Sequence, residues 1–419
     1  MNSIGCIILA AGKGTRFKSD IPKVLHELHG RPILQNILDV VAQAGFRRPV
    51  VVIGHKAGEV RNFLRDKAIT VTQNKQLGTA DALKAGKKYL SRFKDIVVLY
   101  GDVPLVKAGT IKSLIKEHRV SGAACTLLTV FVDDPSGYGR IIRGNSDEVK
   151  GIVEEKEASE EEKRIREINV GLYCFKRHDL FEAINEVGKS KVKKEYYLTD
   201  LIEILIGEGK RVSAVGTADT DETMGINSRE DLSRAFLALN KRMIKKLTEN
   251  SVTVMDPSTA YISPDAKIGK DTVVWPFVVI EKNVKVGKRC SVGPFCRLRS
   301  GTVLEDDVEI GNFVEVVRSK VKAKSKAKHL TYLGDCVVGR EANIGCGTIT
   351  ANFDGRNKNR TTIGDKAYIG SGTIFVAPVK VGKGAVTGAG SVVLRNKNIP
   401  ANAVAVGVPA KILNKKEKG

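Results

Sequence analysis

Gly12, Gly14, Arg16 and Lys23 lie within one stretch, LAAGKGTRFKSDIPK (residues 9–23), and together suit the gripping of phosphate. Glycine lets backbone N–H groups come close to an anion, arginine holds a phosphate through two parallel hydrogen bonds, and lysine acts as a mobile point charge. The stretch fits neither common phosphate loop. A Walker loop keeps four residues between its first glycine and Gly-Lys-Ser/Thr, and Gly12 and Gly14 are too close together. A dinucleotide fingerprint places a third glycine where this chain has Phe17. Downstream, Gln73 and Gly78-Thr79 in QNKQLGTADA set hydrogen-bonding groups at a helix start, suited to a base or ribose. Asp102, in YGDVP, is a natural Mg²⁺ ligand, because that ion takes one or two carboxylates plus substrate phosphate oxygens.

Such groups must be carried by a scaffold. Up to about residue 226, short apolar stretches at 4–9, 49–53, 69–72, 96–100 and 124–132 alternate with helical ones such as 33–44 and 79–89. The alternation predicts an α/β domain, a mostly parallel sheet with helices on both faces, over residues 1–228. Ligands of such sheets sit at the carboxyl ends of the strands, where both the opening loop and Gly101-Asp102 fall. Residues 229–250 carry Leu232, Phe236, Leu239, Met243 and Leu247 on one face of a long amphipathic connector helix.

Over residues 251–419 the period becomes six. Ile262, Ile268, Val274, Ile280, Val286, Val292, Leu298, Leu304, Ile310 and Val316 fall in unbroken register. With 42% apolar residues, ten successive hits have a chance on the order of 2 in 10,000 per starting point. This is the hexapeptide repeat of a parallel β-helix. Register resumes at Val338 and Ile344, 22 residues after Val316, and again at Ile363, 19 after Ile344. Each gap reads as an excursion, the first holding KAKSKAKHLTYLGD (322–335) and the second NFDGRNKNR (352–360). The alternation Lys320, Lys322, Lys324, Lys326, Lys328 predicts five ammoniums on one side of an extended segment.

The formal charge of +22 raises nucleic acid as a partner, but aromatics make up only 5% and offer few stacking platforms. Polyanionic small molecules account for the charge equally well. No apolar run reaches the ~20 residues of a membrane span. Seven cysteines without paired or CxxC spacing read as small buried residues of a reducing cytoplasm. A basic tail, Lys415, Lys416 and Lys418, closes the chain.

LAAGKGTR followed by PK, QLGTA, YGDVP, GYGR, IVEEK, INVG and GINSR resembles, in order and spacing, the uridylyltransferase domain of a bacterial bifunctional family. Its members join N-acetylglucosamine-1-phosphate uridylyltransferase to glucosamine-1-phosphate N-acetyltransferase. The repeat half resembles the same family through GPFCRLRSG, GNFVE, HLTYLGD, NIGCGTITANFDG and VAPVKVGKGA. The resemblance implies a Rossmann-like domain, a left-handed β-helix and a homotrimer. It further implies that Leu9, Ala10, Ala11, Gly12, Gly14, Thr15 and Lys23 hold UTP, with Gln73, Gly78 and Thr79 on the uridine side. Tyr100, Gly101, Asp102, Gly139, Glu154, Asn169 and Asn227 would serve the sugar, Asp102 and Asn227 the Mg²⁺, and Arg16 and Lys23 the leaving pyrophosphate.

In the second half, acyl transfer from a thioester to an amine needs the amine deprotonated and the oxyanion stabilised. The resemblance makes His329 the general base, with Glu315 orienting the substrate amine or the histidine. Arg299, Tyr332, Asn343 and Lys358 would contact glucosamine-1-phosphate, Cys346, Ser371 and Ala389 would line the acetyl-CoA site, and Asn352-Phe353 would lie at their junction. Val317 stands where the family carries a lysine, with Arg318 next to it as the substitute. The rival expectation is a monofunctional sugar-1-phosphate nucleotidyltransferase whose β-helix is structural or regulatory.

Overall fold

A computed structural model describes residues 3–190 and 195–413. The basic tail lies outside the described residues. Two compact units result, Met1–Phe236 and Leu237–Gly419.

In the first unit, seven strands of a nine-stranded sheet run in the order Val212–Thr217, Cys125–Phe131, Glu167–Lys176, Asp95–Tyr100, Ile4–Ala10, Val50–Ile53, Ile69–Thr72, and the pair Arg140–Arg143 and Val149–Val153 branches off Glu167–Lys176. Neighbours are parallel except around Glu167–Lys176, which runs antiparallel to both of its partners. The strand Ile4–Ala10 is buried along its whole length, the pattern of a strand covered on both faces. Ile7 and Leu9 pack in one cluster with Ala82 and Leu83 of the helix Thr79–Leu90. Ile8, equally buried, points to the opposite face.

The second unit is a left-handed parallel β-helix of three sheets, each coil giving one short strand to each sheet. Val274, Val292, Ile310, Ala327, Ile344, Ile369 and Thr387 stack in successive coils of the first sheet. Buried hydroxyls at the corners tie coils together, as where Thr302 donates to the Val316 carbonyl at 2.9 Å. Among the described residues, no helix is long and apolar enough to cross a membrane.

Three expectations change here. The interval from Val316 to Val338 is no excursion. Buried Val321, Ala327 and Leu333 continue the ladder, and two corners are each one residue short, at Arg318 and Asp335, both with positive φ (47° and 49°). Of the two expected excursions, residues 352–360 alone leave the coil, as a loop closed by a bridge between Phe353 and Lys358. The lysine run is also split. Lys320 belongs to the strand Lys320–Val321 and Lys326 and Lys328 to Lys326–His329 on another sheet, with a corner at Lys324 (φ 62°) between them. Lys320 pairs with Glu305, and Lys326 and Lys328 both pair with Glu309.

The long helix spans Arg229–Glu249, but its buried line differs from the expected one. Ala235, Asn240, Ile244 and Leu247 are the buried residues. Leu232, Phe236, Leu239 and Met243 are half-buried. Asn240 is buried because it satisfies backbone at the first coil, donating to the Ala260 carbonyl at 2.8 Å and accepting from the Ile262 N–H at 3.1 Å.

Candidate active sites

The opening loop leaves the strand Ile4–Ala10 and turns at Gly14, whose φ of 62° is left-handed. A Cβ on Gly14 would stand 2.9 Å from the Cβ of Lys23, so glycine here admits the lysine side chain. Phe17, at the position a dinucleotide loop gives to glycine, is buried against the His26 ring at 4.6 Å. The loop thus spends that position on core packing. Gly12 has open space around it, and Thr15 and Arg16 are exposed. Arg16 has no ion-pair partner among the described residues.

Lys23 reaches across the sheet edge. Its Nζ lies 2.5 Å from Asp102 Oδ2 and 3.1 Å from Asn227 Oδ1. Asp102 follows Gly101, whose N–H donates to the Leu9 carbonyl at 2.8 Å, and the Asp102 carbonyl accepts from the Ile226 N–H at 2.8 Å. Asn227 is placed by a capping box. Asp231 accepts from the Asn227 and Ser228 N–H groups at 2.9 and 2.8 Å, and the Asp231 N–H donates to Ser228 Oγ at 3.1 Å. Asp231 was not among the expected site residues, though the Ser-x-x-Asp spacing ahead of a helix signals it.

Gln73, Gly78 and Thr79 come together at the start of the helix Thr79–Leu90. Gln73 is buried and donates to the Gly78 carbonyl at 3.0 Å and to Asp81 at 2.7 Å. Gly78 has φ 119°, and a Cβ there would lie 2.3 Å from the Tyr196 carbonyl oxygen. Thr79 Oγ1 accepts from the Leu198 N–H at 2.9 Å.

Gly139, Glu154 and Asn169 also converge. The Asn169 N–H donates to the Gly139 carbonyl at 2.9 Å, and a Cβ on Gly139 would lie 3.7 Å from Glu154 Oε1. A bulge in the strand Glu167–Lys176 after Asn169 turns its side chain to the Tyr173 hydroxyl, 2.6 Å away. Tyr100 packs edge-on to Tyr173 (6.3 Å) over Gly171, and burial, with Glu154 adding to it, pushes its phenol well above the usual range. Thr199 donates to Glu154 at 3.1 Å, a contact that nothing in the sequence announces.

Beside Glu154 stands Asp200, whose carboxyl is pushed up to about 6 by burial and then by the charges of Glu157, Glu203 and Glu154. A carboxyl with a raised native pKa holds protons the unfolded chain releases, so stability falls as pH climbs from the unfolded carboxylate range toward 6. Asp200→Asn should therefore melt higher than the unaltered chain above pH 6. The gap should close as pH falls below about 4, and thermal melts across that range check it.

In the β-helix, His329 lies on the strand Lys326–His329, opposite Asn312 of the preceding coil. With Ala327 opposite Ile344, Cys346 falls two residues on in both strands and continues the column at this corner. Ser371 and Ala389 extend it, since the Gly372 N–H donates to the Cys346 carbonyl at 2.6 Å and the Gly390 N–H to the Ser371 carbonyl at 2.7 Å. The next column changes character. It carries Phe277, Phe295, Phe313 and Leu330, all exposed and all at positive φ, then Gly347, Gly372 and Gly390, also at positive φ. Where bulk gives way to glycine, the column beside Cys346, Ser371 and Ala389 carries no side chains.

The adjoining sheet carries Glu315 opposite Tyr332. Glu315 accepts from Arg299 at 2.8 Å. It makes no hydrogen bond to His329, whose ring has none among the described residues. Of the two roles expected for Glu315, orienting the histidine receives no support from this geometry. Val317 is buried, and Arg318 gives two 2.7 Å hydrogen bonds to Asp335. Arg318, with Asn352 helping, holds the Asp335 carboxyl below the usual range. The substitute cation is thus already paired. Asn352 is buried, whereas Phe353 and Lys358 are exposed on the loop and Asn343 is half-buried.

The MobA-like NTP transferase domain matches residues 6–184, and the bacterial transferase hexapeptide (six repeats) matches residues 265–300 and 360–395. The stretch between those two repeat matches holds the short corners and the loop. Full-length relatives match almost end to end. Bifunctional protein GlmU of Shouchella clausii is 41% identical over 434 residues, covering 96% of this chain and 95% of that one. Its namesake in Geobacillus thermodenitrificans is 41% identical, covering 96% and 94%. Bifunctional protein GlmU of Heliobacterium modesticaldum is 41% identical over the whole of both chains, 100% and 100%.

Proposed function

The chain belongs to the bifunctional GlmU family, and on that premise we propose how its residues divide two reactions. It is a bifunctional transferase of UDP-N-acetylglucosamine synthesis. The repeat half acetylates glucosamine-1-phosphate from acetyl-CoA, and the N-terminal half transfers UMP from UTP to N-acetylglucosamine-1-phosphate, releasing pyrophosphate. The observation that carries the division of labour is the meeting of Lys23, Asp102 and Asn227 at the loaded edge of the sheet.

In the first half, the sugar phosphate oxygen attacks the α-phosphorus of UTP in line, and the bond to the β-phosphate breaks. Such a transfer needs positioning and charge neutralisation more than a covalent intermediate. The loop from Leu9 to Thr15 wraps the triphosphate, and exposed Arg16 and the mobile ammonium of Lys23 steady the pyrophosphate. Gln73, Gly78 and Thr79 receive the uridine, and Gly139, Glu154 and Asn169 the sugar. Asp102 and Asn227 fit a Mg²⁺ ion, because one ammonium already bonds an oxygen of each and the pair offers one carboxylate and one neutral oxygen. The ion, when bound, neutralises phosphate charge.

In the second half, His329 takes a proton from the substrate ammonium. The freed amine attacks the thioester carbonyl; as the tetrahedral adduct collapses, the carbon–sulfur bond breaks and the extra proton on nitrogen passes to the departing CoA sulfur, leaving amide and thiol. Cys346, Ser371 and Ala389 border the thioester beside the glycine column, and Arg299, Tyr332, Asn343 and Lys358 take the sugar phosphate, with Asn352 and Phe353 at the junction of the two substrates. We place the enzyme in the cytoplasm as a homotrimer. Seven free cysteines support the compartment, and the stacked repeat supports self-association.

A paired assay tests the whole reading. UTP, N-acetylglucosamine-1-phosphate and Mg²⁺ should yield pyrophosphate, and acetyl-CoA with glucosamine-1-phosphate should yield free thiol. Pyrophosphate without thiol would leave a monofunctional nucleotidyltransferase on a structural β-helix.

A further inference from the structure

We infer that the ammonium of Lys23 occupies the divalent-cation position of the nucleotide-free enzyme and must leave it before metal and nucleotide bind. The inference rests on the reading that Asp102 and Asn227 hold the metal. The two oxygens are fixed by backbone. Asp102 is anchored through its carbonyl to Ile226, and Asn227 through its N–H to Asp231. Lys23, by contrast, reaches them on a flexible four-carbon stem that Gly14 leaves room for. The lysine side chain is 11% exposed and the aspartate 22%, so water screens this pair incompletely. An ammonium 2.5 Å from the carboxylate and 3.1 Å from the amide oxygen sits where a second cation would have to sit. Two cations held by the same Asp102 Oδ2 and Asn227 Oδ1 would repel each other at that range.

The consequence is an order of events. Metal alone meets a site whose counter-charge is already in place and binds weakly. A nucleotide supplies the phosphates to which Lys23 can transfer its charge, so metal and nucleotide each favour the binding of the other. The same lysine therefore keeps Asp102 neutralised at rest and grips phosphate in the loaded state.

Manganese binding to the full-length, nucleotide-free protein, followed by the electron paramagnetic resonance of the free ion, tests this. Lys23→Met should tighten Mn²⁺ binding by about tenfold or more, and Lys23→Gln should do the same. Asp102→Asn should weaken Mn²⁺ binding when UTP is present. If Asp102→Asn weakens it but neither lysine variant tightens it, the metal site stands and the placeholder role is overturned. If Asp102→Asn changes nothing, the metal reading and this inference fall together. The unaltered chain gives a second readout. Labelling of Lys23 by acetic anhydride should rise severalfold as Mn²⁺ alone is raised to saturation, and an unchanged labelling rate would overturn the inference whatever the variants do.

Discussion

Asp102→Ala should lower pyrophosphate release from UTP by about 10³-fold or more while leaving thiol release from acetyl-CoA unchanged. Little covalent chemistry falls to protein groups in nucleotidyl transfer, so most of the rate comes from neutralising and aligning phosphates. Among the described residues, Asp102 is the one carboxylate that Lys23 meets at the sheet edge. Its loss strips the cation position of its charged ligand and leaves Lys23 without its counter-ion. Asp102→Asn keeps the volume and an oxygen acceptor but not the charge. If the asparagine variant is nearly as impaired as the alanine one, charge rather than packing is the cause. Thiol release is spared because each unit has its own core, one around the sheet and one along the β-helix ladder. Measured on one preparation, the two activities provide each other's folding control. Loss of both in a folded protein would overturn this division of labour.

Much of the scaffold was legible because burial imposes a period. Strand Val50–Ile53, buried throughout, falls within the apolar stretch at 49–53, and the six-residue ladder marks every coil up to Val316. The ladder misled where its physics was satisfied by unexpected residues. Ala327 fills a core position although an alanine inside KAKSKAKH carries no aliphatic signal. The corners at Arg318 and Asp335 close with one residue fewer, which shifts every later count. The lysine alternation failed for a related reason, since a period of two has meaning only while the strand continues, and Lys324 turns a corner.

Candidate site residues divide in the same way. Gly14 and Gly78 could be read as special, because positive φ selects glycine. Thr199 and Asp81 could not, because their partners lie in other elements or share a helix face with unremarkable neighbours. The buried strand Glu167–Lys176 escaped notice as a strand, although INVG within it was read as a motif. Its antiparallel course between two parallel neighbours has no signature in a single run of apolar residues.

His329→Ala should reduce thiol release by about 10²–10⁴-fold with pyrophosphate release intact. An ammonium has no lone pair with which to attack a thioester, so a base must take its proton before the new bond can form. His329 is the histidine at the corner where Cys346, Ser371 and Ala389 follow in successive coils, and its exposed ring is open to a substrate. Removing the ring leaves that column and the glycines beside it in place. The KM for acetyl-CoA should therefore change little while kcat falls, the mark of an interaction made in the transition state. Added imidazole should restore part of the lost rate, because the open position the ring vacates is accessible to a base of the same shape. A variant that kept its rate within about tenfold, a loss smaller than general-base catalysis supplies, would take the proton transfer away from His329. A rise in KM alone would make the residue a binding contact, with deprotonation left to solvent.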